Sequence, residues 1–137
     1  MLEPEWLSIG DIEVLCKRIQ IGSPAHQIIL VANKQGTLES ALDAPRNMFT
    51  YGEDDLTVLA ARYAYGIAKG HVLIDGNKRL AFHAMVAFLR INDLVLIEPY
   101  PEFYAGQIEA LVRDDIDTVD LARELARCVE LAPEDAV

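Results

Sequence analysis

The ten residues from Leu80 to Leu89, LAFHAMVAFL, carry apolar side chains around almost the whole circumference of a helix. A helix without a polar face must be surrounded by other elements. We therefore predict that the chain folds around one central buried helix that begins near Asn77. With 137 residues, of which 52% are hydrophobic, the chain is long enough to bury about two-thirds of its unfolded surface. We expect a single domain over residues 1–137.

Apolar residues that recur every three or four positions predict helices along most of the remaining chain. Ser8, followed three residues later by Asp11, predicts a capping box at the first helix, which Gly-Ser-Pro at 22–24 ends. Further helices are predicted from Thr37 to a strained or broken point near Pro45, after the acidic run GEDD, and at about 101–113 and 118–131.

Two segments do not show a clear period. Residues 25–36 are compatible with a helix or with an irregular connection, and both alternatives stay open. The run LVLIEP, after the central helix, predicts a short extended connection or a fragment of strand. The expected fold class is all-α, with about six helices around the central one.

The charge of the chain is unevenly distributed. A net charge of −10 argues against a general nucleic-acid binder and against a binder of anionic membranes, because both need broad basic surfaces. Residues 61–90, however, carry five basic residues against Asp75 alone, a local charge of +4. A small basic region in an acidic protein suits a compact anion such as a phosphate.

Other features indicate a soluble cytoplasmic protein. The N-terminal residues MLEPEWLSIGD are acidic and do not resemble a signal peptide. No stretch approaches the roughly 20 apolar residues of a membrane helix. Cys16 and Cys128 lie in apolar helical patterns and are expected to be buried thiols, and the dispersed histidines and cysteines do not show zinc-site spacing.

The segment His71–Arg79, HVLIDGNKR, places ionisable residues between two stretches that favour burial. Asp75 is expected to cap the central helix, which leaves the amides from Gly76 to Arg79 without intrahelical partners. Lys78 and Arg79 in that first turn oppose the helix dipole unless an anion lies among them. We therefore expect a partner from outside the chain, and the pattern predicts an anion site.

The residue types in this segment also suit transfer chemistry. His71 is able to accept a proton near neutral pH, and Asp75 is a plausible Mg²⁺ ligand. Arg79 is able to clamp phosphate oxygens, while Lys78 adds a point charge. These residues predict phosphoryl or nucleotidyl transfer. The alternative on composition alone is a capped helix with a salt-bridged surface turn.

The run GIAKGHVLIDGNKRLAF closely resembles the signature of the Fic/Doc family, in particular its Doc-like, death-on-curing branch, and the likeness extends over about residues 36–92. The resemblance implies an all-α fold in which the loop and helix start bind ATP and Mg²⁺. By this likeness His71 is the catalytic base, Asp75 is the Mg²⁺ ligand, and the phosphate-binding turn consists of Gly76, Asn77, Lys78 and Arg79. Lys69 is expected to supplement the basic region.

Lys78 bears on the expected reaction. AMP-transferring members of the family resemble each other in having glycine at this position, whereas the Doc-like branch is a kinase branch. The resemblance therefore implies a toxin of a type II toxin–antitoxin pair that phosphorylates a translation factor, with a threonine of elongation factor Tu as the expected target. Its expected partner is a separate antitoxin. The alternatives are AMP transfer and a non-catalytic, antitoxin-binding co-regulator.

The remaining two histidines are assigned structural roles. His83 falls on the central helix and is expected to be a hydrogen-bonded core residue. His26 is expected to have a surface or packing role.

Overall fold

The computed structural model describes residues 2–133, and its fold is almost entirely helical, as predicted. Residues 2–133 form six α-helices, a short 3-10 turn and two three-residue strands. In order these are α1 (Ile9–Gly22), the 3-10 turn (Ala32–Lys34), α2 (Gln35–Thr50), α3 (Leu56–Gly70), α4 (Asn77–Ile91), β1 (Leu94–Leu96), α5 (Phe103–Val112), α6 (Thr118–Cys128) and β2 (Val129–Leu131).

Side chains that bind free backbone amides fix the starts of three helices. The predicted capping box at α1 is confirmed, since the Ser8 side chain accepts from the Asp11 amide and Asp11 binds back to Ser8. Asp55 caps α3 through the Thr57 amide. Asp117 forms a second capping box with Asp120 at α6. Such caps stabilise a helix by about 1 kcal/mol each.

Helices α3 and α4 together form the centre of the molecule. Every residue of α4 from Leu80 to Leu89 is buried or half-buried, as predicted for a surrounded helix. Helix α3 is equally central, because it packs against α2, α4, α5 and α6. Its small residues allow close approach: a Cβ on Gly66 would lie 3.0 Å from Cβ of Ala41 on α2. The described residues share one hydrophobic core, and a single domain over 1–137 stays a prediction.

Several boundaries differ from the sequence-based expectations. Helix α2 does not end at Pro45 but continues through it to Thr50, with the proline ring buried against the core. The segment 25–36, for which the sequence left a helix and an irregular connection open, is an irregular connection followed by the 3-10 turn and the start of α2. Helix α6 ends at Cys128, before the expected 131, because residues 129–131 leave the helix to pair with β1.

The two strands form a small antiparallel sheet. Leu94 pairs with Leu131 and Leu96 pairs with Val129. The run LVLIEP thus contains a strand, one of the two alternatives that the sequence left open. Within residues 2–133, none of the helices is long and apolar enough to cross a membrane.

Candidate active site

A short loop between α3 and α4 carries the residues that the sequence singled out. At its first residue, His71, the backbone adopts the left-handed conformation with φ 50°, and at its last, Gly76, φ is 91°. Residues other than glycine are uncommon in this region of backbone space, whereas glycine enters it without steric cost. The chain therefore leaves one buried helix and enters the next within a few residues.

Buried side chains and hydrogen bonds hold this loop in place. Val72 and Leu73 are buried in the core. The Asn77 side chain accepts a hydrogen bond from the Leu73 amide at 2.8 Å and donates one to the Leu73 carbonyl at 3.0 Å. Asn77, which the resemblance assigns to phosphate binding, thus uses its side chain to fix the loop and leaves its backbone amide for a ligand.

The connection between α1 and α2 runs beside the loop and supports it from one side. The Val31 amide donates to the Val72 carbonyl at 2.8 Å, and the Ile74 amide donates to the Ile29 carbonyl at 3.0 Å. Gln20 anchors the same connection, because its Nε2 donates to the His26 carbonyl at 2.7 Å and its Oε1 accepts from the Ile28 amide at 3.0 Å.

Six of the seven predicted site residues line one cavity of about 600 Å³. The six are His71, Asp75, Gly76, Asn77, Lys78 and Arg79. Lys69 is the exception, since it does not belong to the lining residues and its ammonium pairs with Asp114 at 3.0 Å. The predicted contribution of Lys69 to this basic region therefore lacks support from the geometry.

The prediction that Asp75 caps α4 is wrong. The N-cap residue is Gly76, and no side chain within the described part of the chain caps α4. The Asp75 carboxylate instead lies 2.6 Å from Nδ1 of His26, a residue on the connection between α1 and α2. The hydrogen bond from His26 lowers the pKa of Asp75, so this half-exposed carboxyl stays ionised.

The two cations in the first turn of α4 diverge to opposite sides. Nζ of Lys78 lies 2.6 Å from Oε2 of Glu109 on α5. The Arg79 guanidinium donates to the hydroxyl of Ser23, just after α1. The expectation that a partner must come from outside the chain is therefore wrong for these side chains, because the fold itself supplies one for each.

His83 also lines the cavity instead of lying in the core. Its side chain is half-buried, and its ring contacts Phe82 edge to face, with 5.4 Å between the ring centroids. Burial, assisted by the positive charge of Arg79, lowers the pKa of His83. The expectation of a hydrogen-bonded core histidine is thus wrong because its position on α4 faces the cavity.

The opposite wall of the cavity is acidic, a feature that sequence reasoning missed. Glu98, Glu102 and Glu109 line it together with Ala105 and Val112. The spacing of Ala105, Glu109 and Val112 on α5 predicts a common helix face, and Glu102 is the residue just before the helix. The sequence does not say that this face meets the loop. Glu98 also accepts a hydrogen bond from the Tyr104 amide at 3.1 Å.

Comparison with known proteins places the chain in a family. A model of the Fic/DOC family matches residues 8–89, which is more than half of the chain. This chain belongs to the Fic/Doc family. Over 112 residues the Fic/Doc chain is 34% identical to the protein named Toxin Doc from Mycolicibacterium smegmatis (strain ATCC 700084 / mc(2)155), and the match covers 77% of this chain and 83% of that protein. The predicted likeness to the Doc-like branch is thereby confirmed.

The cavity of this Fic/Doc protein suits a ligand with one anionic end. At the uncapped start of α4, free backbone amides lie between two cationic side chains, Lys78 and Arg79, which is a favourable arrangement for phosphate. The three glutamates disfavour an anion on the other wall. A nucleotide, with charged phosphates and an uncharged nucleoside, matches this division.

The residues that line the cavity supply only part of a Mg²⁺ site, and the phosphates of a nucleotide would supply the rest. Within residues 2–133, no group of three or more histidine, cysteine, aspartate or glutamate side chains is arranged to hold a metal ion. Mg²⁺ is commonly bound by one or two carboxylates together with substrate phosphates and water. The ionised Asp75 at the cavity supplies one such carboxylate in this Fic/Doc chain, so its donor set fits a magnesium nucleotide better than a bare ion.

Proposed function

We propose that this Fic/Doc protein is a toxin that transfers the terminal phosphate of ATP to a hydroxyl of a translation factor. The observation that carries the proposal is the common cavity. His71, Asp75 and the uncapped start of α4 line the same space, although they come from a helix end, a loop and a second helix. A proton acceptor, a carboxylate and a phosphate-binding helix start are the parts that phosphoryl transfer needs.

In the proposed reaction, the hydroxyl oxygen of the target attacks the terminal phosphorus of ATP. The hydroxyl proton passes to a ring nitrogen of His71, the bond between the terminal phosphorus and the bridging oxygen breaks, and ADP leaves. Lys78 and Arg79 stabilise the negative charge on the phosphate oxygens. When bound, a magnesium ion held by Asp75 would neutralise part of that charge.

Lys78 favours phosphate transfer over AMP transfer in this proposal. The resemblance places this lysine where AMP-transferring members of the family have glycine. In the fold, the Lys78 side chain crosses from α4 to Glu109 on α5 at the cavity. A long cationic side chain in this place restricts the space beside the helix start, which a glycine would leave open.

The target and the partner are proposed by likeness to the Doc branch. The proposed substrate is a threonine of elongation factor Tu, whose modification would stop translation. The proposed partner is an antitoxin that covers the cavity. This assignment is supported by the similarity to the protein named Toxin Doc.

The decisive experiment incubates the protein with elongation factor Tu, Mg²⁺ and ATP that carries its label on either the terminal or the α-phosphate. We expect label on the factor from the terminal phosphate alone. Label from the α-phosphate alone would identify an AMP transferase and overturn the proposal. No transfer from either position, together with growth arrest that persists in His71→Ala, would instead identify a non-catalytic role.

A further inference from the structure

The ion pair between Lys78 and Glu109 joins the two walls of the cavity. Lys78 lies in the first turn of α4, and Glu109 lies in the second turn of α5. Their charged atoms are 2.6 Å apart, and both side chains retain 40–50% of their exposure. The pair is therefore reachable by a ligand in the cavity, and it draws the Lys78 ammonium toward the acidic wall.

We propose that Glu109 is a positioning residue that holds Lys78 on the α5 side of the cavity and competes with nucleotide phosphate for its ammonium group. This inference rests on the proposed function, because it assigns a regulator to the same phosphate site. Glu109 does not contact the reacting atoms. It sets how readily one of the two cations at the start of α4 becomes available to the phosphates.

The surroundings of Glu109 lower the free-energy cost of moving Lys78 from Glu109 to a phosphate. Its second carboxylate oxygen, Oε1, lies 3.7 Å from the guanidinium of Arg113, the residue that follows α5. When Lys78 turns to a phosphate, Glu109 therefore keeps a cation beside it and is not left as an unpaired charge. The hydrogen bond and charge of Lys78 also lower the pKa of Glu109, so the carboxylate is ionised at neutral pH.

Glu109 differs from the other acids of the wall. Glu98 accepts the hydrogen bond of the Tyr104 amide and thereby supports the start of α5. Glu102 lines the same cavity and is exposed, but it does not take part in the ion pair with Lys78. Glu102 is thus a matched control, because its neutralisation removes the same charge from the cavity without releasing Lys78.

The test compares binding of magnesium ATP by calorimetry to the unchanged protein, Glu109→Gln, Glu102→Gln and Glu109→Ala. Exposed ion pairs are weak, so release of Lys78 should tighten binding by up to about fivefold in both Glu109 variants. Glu102→Gln should change it by less than about twofold. A substitution that damaged the fold would weaken binding instead of tightening it. The thermal unfolding of each variant is measured as a control for such damage.

A double variant separates the ion pair from general charge. In a Lys78→Met background, Glu109→Gln should no longer tighten binding. Equal tightening by Glu109→Gln and Glu102→Gln, tightening that persists without Lys78, or no nucleotide binding by any of the proteins would each overturn the inference. If binding tightens as expected while label reaches the target from the α-phosphate, the role of Glu109 stands and only the proposed kinase activity fails.

Discussion

Nδ1 of His26 lies 2.6 Å from Oδ2 of Asp75, although 49 positions separate the two residues in the sequence. This pair joins the connection after α1 to the loop before α4. Together with the pairs Lys78–Glu109 and Arg79–Ser23, it gives each charged side chain at the start of α4 a partner from another element. A ligand must therefore exchange contacts with these partners, and its net affinity is the difference between the old and new interactions.

Two substitutions of His71 distinguish the chemical role of its imidazole from the conformational cost of its left-handed backbone. The residue has φ 50°, and a left-handed conformation costs a non-glycine residue about 1–2 kcal/mol. We expect His71→Ala and His71→Gly to lose the proposed phosphate transfer alike, because both lack the proposed proton acceptor. His71→Gly should be at least as stable as His71→Ala in denaturant unfolding. Transfer by either variant at the unchanged rate would contradict the role of His71 as base.

Gly76 permits both a left-handed turn and a close contact. Its φ is 91°, and a Cβ at this position would lie 2.7 Å from Cδ1 of Ile28. We expect Gly76→Ala to lower the free energy of unfolding by about 1–3 kcal/mol through strain and crowding. Denaturant unfolding measures this change.

The control for this substitution is Gly106→Ala on α5, where an added Cβ meets nothing within 4 Å. Because alanine is the better helix former, this variant should be neutral or more stable by up to about 1 kcal/mol. Equal effects of the two substitutions would show that the conformation of Gly76 is not constrained as described.

Asn77 fixes the loop through its two hydrogen bonds to the Leu73 backbone. Asn77→Ala removes both, and at about 0.5–1.5 kcal/mol for each bond the protein should lose about 1–3 kcal/mol of stability. Amide hydrogen exchange at Leu73 should also become faster. Asn47→Ala, at an exposed position of α2, should stay within about 0.5 kcal/mol of the unchanged protein. Unaltered protection at Leu73 would show that Asn77 does not hold the loop.

His83 predicts a pH dependence of stability. Burial, and secondly the charge of Arg79, lowers its pKa in the folded state. The unfolded chain, with a histidine pKa of about 6.5, therefore binds the proton more readily. This contribution to stability is complete above about pH 6.5 and is lost as the pH falls through the folded-state pKa. Relative to His83→Gln, the unchanged protein should become less stable between pH 7 and pH 5.

Nuclear magnetic resonance titration of the His83 ring tests the cause directly. Removing the positive charge in Arg79→Gln should raise the pKa only in part, because burial is the larger cause. A ring that titrates above pH 6.5 in the unchanged protein would contradict the described environment.

Local patterns of the sequence predicted most of the fold. The capping box of Ser8 and Asp11 depends on residues three apart, and the prediction that α4 is surrounded depends on the unbroken, mostly apolar run from Leu80 to Leu89. The structure confirmed both predictions, because each depends only on residues that are close in the sequence. The end of α6 was not predicted, because Val129 leaves the helix to pair with Leu96, a strand contact that a local pattern does not reveal.

The residues that line the cavity were predicted in part, and their contacts with one another were not predicted. The signature run identified the residues around the start of α4, six of which line the cavity. Asp75 was assigned to a cap because aspartate before a helix usually has that role. Its actual partner, His26, and the partner of Lys78, Glu109, are distant in sequence, so only the packing of α1 and α5 against α4 brings them together.

The loop from His71 to Gly76 joins the two helices at the centre of the molecule, and its second and third residues, Val72 and Leu73, are buried with them. We do not expect such a loop to unfold at a lower temperature than the helices α3 and α4 that it joins. Warming the protein should therefore abolish the proposed nucleotide binding and the helical circular dichroism at one temperature, so that a calorimetric trace shows a single endotherm and not an early shoulder from the site.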